Sequence, residues 1–258
     1  LSALDLLEKY DYDKEYKGFY ESCTADWKVA PWIRGMNRSP FDVKTMNTHL
    51  HILEPYTNLY RVWPDERLGA QIRGLIDVFL TKILDPQTYH LRLFFDDDWH
   101  SKVDANSYGH NIEASWLLYE AAEVLGDEEL MTRVLAYSHL IADHADVLDP
   151  QTGRCEDIFG TPHQWWEYAE SVVGNFNIWQ HLGDKFALDR ALAAKAYIGT
   201  FLIDWKHGEW YWSAGTPDEP FVPNRVDDKA GFWKCPYHNG RMCMELIERI
   251  DSTRPKTN

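Results

Sequence analysis

Apolar residues recur three and four positions apart along almost the whole chain, a period that specifies helices and leaves little room for a sheet-based fold. Thr45 to Val62 is one amphipathic stretch, with Leu50, Leu53, Tyr56 and Tyr60 near helical spacing and Pro55 inside it as a candidate kink. Glu66 to Leu84 is a second, its apolar side made by Leu68, Ile72, Leu75, Ile76, Phe79, Leu80 and Ile83. Asp85-Pro86-Gln87-Thr88 breaks it, and a short extended stretch, Tyr89 to Phe95, leads into the acidic loop Asp96-Asp97-Asp98. Tyr108 to Leu125 and Asp127 to Val147 pair around Gly126, a C-terminal cap. Trp165 to Leu182 and Asp184 to Trp205 pair around Gly183. Gly208 to Phe221 reads as a hairpin around Glu209-Trp210-Tyr211-Trp212, and Pro236 to Ile250 is the last helix. Leu4, Leu7 and Tyr10 predict one more helix near the N-terminus.

The order helix, turn, helix, long loop repeats, and each first helix opens with a ring-bearing polar residue: His51, His110, Trp165 or Trp166, then His238. Successive steps of 59, 55 and 73 residues suggest a toroid of helical hairpins whose inner helices aim their N-terminal ends at one cavity. An irregular helical bundle is the competing architecture, because the steps are unequal and the units share no sequence identity. Four such units do not obviously close a ring, so either the barrel is incomplete in this chain or Leu1 to Trp32 supplies more of its wall. The expected fold is an all-α, (α/α) barrel left incomplete in this chain, with short β-hairpins in its loops. Residues 1–258 are expected to form a single domain.

Composition narrows the function. The 26 basic and 41 acidic residues leave a net charge of −15, which argues against binding nucleic-acid backbone or an anionic membrane surface. No apolar run approaches the roughly 18 residues needed to span a bilayer. The first residues, Leu-Ser-Ala-Leu-Asp-Leu-Leu-Glu-Lys, carry acids where a signal peptide has bases, and four scattered cysteines do not suggest a disulfide scaffold. A reducing, cytoplasmic home is expected. With 12 Trp, 14 Tyr and 11 Phe, the chain has the means to build a platform for a flat, partly apolar ligand such as a sugar ring.

Four segments concentrate polar chemistry. In Met46-Asn47-Thr48-His49-Leu50-His51-Ile52-Leu53-Glu54, the residues Asn47, His51, Glu54 and Asn58 form one polar stripe at i, i+4, i+7 and i+11, which either faces water or lines a site. The bland reading of a histidine there is a satisfied core residue. In Ser107-Tyr108-Gly109-His110-Asn111-Ile112-Glu113-Ala114-Ser115-Trp116, His110 and Glu113 share a face at a helix start, where a carboxylate can orient an imidazole for acid–base work. Ser107 as a mere cap is the local alternative. In Lys229-Ala230-Gly231-Phe232-Trp233-Lys234-Cys235-Pro236-Tyr237-His238-Asn239, Pro236 opens a helix and places His238 at its N-terminus, where the dipole favours a neutral base. In Pro162-His163-Gln164-Trp165-Trp166-Glu167-Tyr168-Ala169-Glu170, adjacent indoles project about 100° apart, so one faces a cavity while the other packs. Glu170 stands i+4 from Trp166, able to orient a ligand hydroxyl, and Glu167 or Glu170 could instead be one of two glycosidase carboxylates.

No metal is expected. Cys235, His238 and Cys243 lack a fourth ligand and match no common zinc spacing, and His49, His51 and Glu54 do not reproduce a zinc-protease signature. Phosphate-binding glycine loops and a Gly-x-Ser-x-Gly elbow are absent from the sequence.

Taken in order, residues 46–54, 107–116, 165–170 and 229–239 resemble the corresponding motifs of the cellobiose 2-epimerase family, within the N-acylglucosamine 2-epimerase superfamily. The resemblance implies an (α/α)6-barrel and a metal-free, cofactor-free epimerisation at C2 of the reducing-end glucose of β-1,4-linked disaccharides. It implies that His110 and His238 are the acid–base pair and that His51 binds the open-chain carbonyl oxygen. It further implies that Glu113 holds His110, and that Trp166 and Trp233 stack on the sugar, with Trp165, Glu170 and Asn47 as further substrate-binding candidates. A family member would carry several more helices ahead of the position matching Leu1, including an Arg near the substrate oxygens. By that comparison the chain is a C-terminal portion of a longer one, and Asn111 stands where the family commonly has Asp. The partner expected is a small disaccharide, and the chain is expected to be monomeric.

Two rivals belong to other classes. A toroidal glycoside hydrolase would use two carboxylates, Glu113 and Glu170, and a non-catalytic carbohydrate-binding remnant would hold sugar without turning it over.

Overall fold

A computed structural model describes residues 2–30, 43–101, 104–145, 164–213 and 229–253. The chain forms two compact units: one takes residues 1–107 and 117–140, the other residues 108–116 and 141–258.

In the first unit, α1 (Ala3–Leu6) is capped by Ser2 and runs into a π-helical turn over Leu7–Asp11. Strand β1 (Lys44–Thr45) leads directly into α2 (Met46–Val62), because the Thr45 side chain accepts the Thr48 N–H at 3.1 Å and caps the helix. Pro55 is accommodated inside α2 without ending it. Asp65 caps α3 (Glu66–Val78), which continues as a π-helical turn, Phe79–Ile83. Strand β2 (Phe94–Phe95) pairs antiparallel with β1, Lys44 opposite Phe95. Leu50 and Leu53 of α2, Leu68, Ile72 and Ile76 of α3, and Phe95 are fully buried and make this unit's core. Helix α4 (Tyr108–Leu125) gives its C-terminal half to this unit, as does most of α5 (Glu128–His144).

The second unit takes the first half of α4 with α6 (Trp165–Leu182), α7 (Lys185–Tyr197) and α8 (Tyr237–Thr253). Gly126 and Gly183 end α4 and α6 in the left-handed conformation, φ 67° and 69°, where a side chain would be strained. Gly174 lets α6 approach α4 closely: a Cβ there would fall 2.8 Å from the Ile112 carbonyl oxygen. Ile112, Ala169, Ile178, Ala187 and Leu202 fill this unit's interior.

Among the described residues one local device occurs three times, and the apolar period does not reveal it. A π-helical turn closes a helix, the chain reverses, and an aspartate holds the reversal. Asp13 accepts N–H groups of Glu15 and Tyr16, Asp85 those of Gln87 and Thr88, and Asp204 those of Lys206 and His207. Each aspartate also meets a cation: Lys44, Arg92 and Lys229 respectively. Leu84-Asp85-Pro86-Gln87-Thr88 returns verbatim at 148–152, which lies outside the described residues together with Val147 and the Asp149-Pro150 break.

The first arm of the expected hairpin is part of this device. Trp210 pairs backward with Ile203, and the Tyr211 N–H bonds the Leu202 carbonyl, so one reversal falls before Gly208. Ser213 then bridges to Gln164, which sets the chain entering α6. Residues 214–221 of the expected hairpin lie outside the described set. His51 is displaced from expectation, for it sits in the second turn of α2 rather than at its start.

Candidate active site

Three helices of the second unit converge on one buried ionic cluster. Helix α4 supplies Glu113 and Trp116, α6 supplies Glu170, and α8 supplies His238 and Arg241. Oε1 of Glu170 lies 2.7 Å from Nδ1 of His238 and accepts from Arg241 at 2.8 Å, and Oε2 accepts the Trp116 indole N–H at 2.9 Å. Arg241 also bonds Oε1 of Glu113, and its guanidinium stacks 5.0 Å from Trp116 and 4.5 Å from Tyr237. Both glutamates are essentially without solvent contact.

The two carboxylates therefore differ sharply. Burial, reinforced by the charge on Glu170, pushes the Glu113 carboxyl up to about 7 despite Arg241 and His238. Burial would raise Glu170 as well, but Arg241 and the His238 bond outweigh it and hold that carboxyl below its ordinary value. An ionised Glu170 only accepts, so Nδ1 of His238 is the nitrogen that carries hydrogen in this bond.

Trp166 links the second histidine to this cluster. Its indole contacts both the His110 and the His238 ring, and the centroid distances, 4.9 and 5.2 Å, put the imidazoles no farther than about 10 Å apart. The two indoles differ in burial. Trp166 is half-buried between imidazoles, whereas Trp165 is buried against Trp212 and beneath the Lys234 ammonium. Gly109 makes room for Trp166, since a Cβ there would meet Cζ3 of the indole at 2.5 Å and Cγ of Glu167 at 2.7 Å. Gly109→Ala is therefore expected to cost about 1–3 kcal/mol through overpacking. Thermal unfolding would register that loss, and the near-UV circular dichroism of the displaced indole should change with it.

Other sequence expectations are redirected. Glu113 bonds Arg241 rather than His110, and Glu170, expected to orient a ligand hydroxyl, has both oxygens occupied by protein donors. Glu167 receives the Gln164 N–H at 2.7 Å and so serves the start of α6. Ser107 holds the N-cap position of α4 without a side-chain capping bond. Trp233 is 63% exposed with its ring edge-on to Phe232. In the first unit His51 is exposed and Asn47 half-buried, while His49, two residues from His51, is wholly buried. Arg241 was not singled out from sequence, although it stands i+3 from His238 on the same helical face.

Glu113, Glu170 and His238 offer three ligand atoms within 4.8 Å of one another. The Arg241 guanidinium already lies against both carboxylates, which leaves a poor place for a second cation. The same sharing weighs against a glycosidase pair, whose carboxyls must flank a substrate rather than close on one arginine.

The described elements define a mostly helical protein whose fold is that of a solved sugar epimerase. The profile of the N-acylglucosamine 2-epimerase (GlcNAc 2-epimerase) family matches residues 2–233, and the chain belongs to that family. It is 46% identical over 249 residues to cellobiose 2-epimerase of Bacteroides fragilis, covering 93% of this chain and 62% of that protein. It is 39% identical over 251 residues to cellobiose 2-epimerase of Ruminococcus albus, covering 94% and 63%. The crystal structure of a sugar epimerase from a ruminal bacterium superposes with a TM-score of 0.86 at 32% identity, over 95% of this chain and 64% of that one. The all-α expectation holds, and the chain spans less than two thirds of the length of these relatives.

Proposed function

We propose that the protein is a sugar epimerase that inverts C2 of the reducing-end glucose of β-1,4-linked disaccharides, taking cellobiose to glucosyl-mannose. One observation carries the reading: His238 is held through Nδ1 by an ionised Glu170, with Trp166 joining its ring to that of His110. An imidazole fixed in this way turns Nε2, the nitrogen not bonded to Glu170, toward proton transfer. In the proposed reaction one histidine takes the C2 proton of the ring-opened sugar, and the C2–H electron pair moves into a cis-enediolate. Rotation about C2–C3 turns the other face, and the second histidine returns a proton to C2. His110 and His238 are the proposed pair. The resemblance assigns the carbonyl oxygen to His51 and stacking to Trp166 and Trp233, and these roles belong to the proposal. Family membership supports the reaction class, and no cofactor is part of it.

Incubation with cellobiose in heavy water is the test. The expected product is a mannose-ended disaccharide carrying deuterium at C2. His110→Ala and His238→Ala are each expected to lower exchange by about 10²–10⁴-fold. Sugar binding by calorimetry with no exchange would replace this reading with a carbohydrate-binding one, and release of monosaccharide would replace it with hydrolysis.

A further inference from the structure

Arg241 touches every charged member of the cluster but is screened from solvent, with its side chain 8% exposed. Its guanidinium is fixed on several sides at once: Glu113 and Glu170 in line with its N–H groups, Trp116 and Tyr237 across its faces, and the Tyr237 hydroxyl at 2.5 Å. Placed three residues from His238 on one helix, it brings two carboxylates from two other helices to the same histidine nitrogen. Nδ1 of His238 lies 2.7 Å from Glu170 and 4.0 Å from Glu113. Removing the cation would leave two buried acids free to repel each other, and one of them is the acceptor that orients the ring.

We propose that Arg241 is a positioning residue which, by clamping Glu113 and Glu170 together, keeps Glu170 on Nδ1 of His238 and so fixes the tautomer that leaves Nε2 as the proton-transfer atom. The proposal rests on the epimerase reading for its catalytic consequence, but the tautomer itself is a property of the resting protein. Arg241 need not contact the sugar: it acts through Glu170.

Nitrogen-15 spectra of imidazole-labelled protein separate the two claims. In the unsubstituted protein His238 is expected to carry hydrogen on Nδ1, assigned by loss of its signals in His238→Ala. In Arg241→Gln the Nε2–H form should appear beside the Nδ1–H form, with kcat for C2 exchange falling at least tenfold and KM changing less than threefold. Arg241→Lys should restore the Nδ1–H form in part, since an ammonium still neutralises both acids although it cannot span them as a planar fork does. Because Arg241→Gln leaves buried charge uncompensated, the double variant Arg241→Gln, Glu113→Gln is the companion, with one acid fewer and the fold more easily kept. With the second acid gone nothing drives Glu170 off the ring, so the double variant should return toward the Nδ1–H form. A folded Arg241→Gln protein whose His238 remains wholly Nδ1–H would overturn the proposal, as would a double variant whose tautomer stays as mixed as that of Arg241→Gln, or a loss confined to KM. Failure of the unsubstituted protein to exchange C2 would instead strike the epimerase reading and leave the tautomer result standing.

Discussion

Glu170→Gln is expected to cost about 3–5 kcal/mol of stability and to lower C2 exchange by about 10²–10⁴-fold, although the side chain keeps its shape. The reason is donor arithmetic at one carboxylate. Glu170 accepts from His238 and Arg241 on one oxygen and from Trp116 on the other, all in a region closed to water. A glutamine has only one accepting oxygen, so its NH2 must face either the indole N–H or the imidazole and guanidinium. Either way a buried donor opposes a donor, and Arg241 loses half of its compensating charge.

Glu113→Gln provides the contrast. Its Oε1 accepts from Arg241, and its buried Oε2 has no hydrogen-bond partner among the described residues, so an amide can be seated without opposing a donor. The sign of the pH effect follows from the raised carboxyl, near 7 when folded against 4.5 as the reference value. Between those values the folded chain keeps a proton that the unfolded chain has released, so this group's contribution to stability declines as pH rises and is at its lowest above about 7. Glu113→Gln removes that decline. It should match the unsubstituted protein near pH 5 and exceed it by up to about 2–3 kcal/mol near pH 8. Urea unfolding of both variants at the two pH values decides the matter; equal damage from the two substitutions at both pH values would refute the assigned asymmetry.

Much of the helical layout was legible because its boundaries are written in residues with few alternatives. Tyr108–Leu125 and Trp165–Leu182 come out at their expected limits since Gly126 and Gly183 provide the left-handed stops. The ends of α3 and α7 were overrun by the apolar period, which continues through the π-helical turns and does not register the change in hydrogen bonding. The reversal before Gly208 went unread because residues Glu209 to Trp212 stood out, while the aspartate that turns the chain, Asp204, read as the tail of a helix. At the site, histidines and indoles stood out as residue types, but Arg241 did not. Its signal was indirect: Glu113 sits between Ile112 and Ala114 on a helix buried almost all round, and a carboxylate there needs a cation from elsewhere. Among the arginines, the one sharing a helical face with His238 was the natural candidate. The partition of His49 and His51 was equally hidden, since only tertiary packing decides which of two nearby imidazoles is enclosed.

That enclosed imidazole carries the second large effect. His49→Ala is expected to destabilise the protein by about 3–5 kcal/mol, through a cavity and two stranded backbone groups. Nε2 of His49 accepts the Phe19 N–H at 2.9 Å, and Nδ1 donates to the Thr45 carbonyl at 2.6 Å, so only the neutral Nδ1–H form fits. The enclosure is tight: Gly18, at φ 81°, would place a Cβ 2.5 Å from both Nε2 and the Trp99 ring. Burial drives this imidazole down to about 4 from its usual 6.5. The contribution from keeping it neutral is thus complete above about 6.5 and is lost as pH falls toward 4, because the unfolded chain gains a proton that the folded chain refuses. Across that window the loss should reach about 3 kcal/mol. His49→Gln can still accept from Phe19 and donate to Thr45 but does not titrate, so its unfolding free energy should fall less steeply between pH 6.5 and 4 than that of the unsubstituted protein. If denaturation curves for the two remain parallel through this range, His49 is not the group that makes the first unit acid-sensitive.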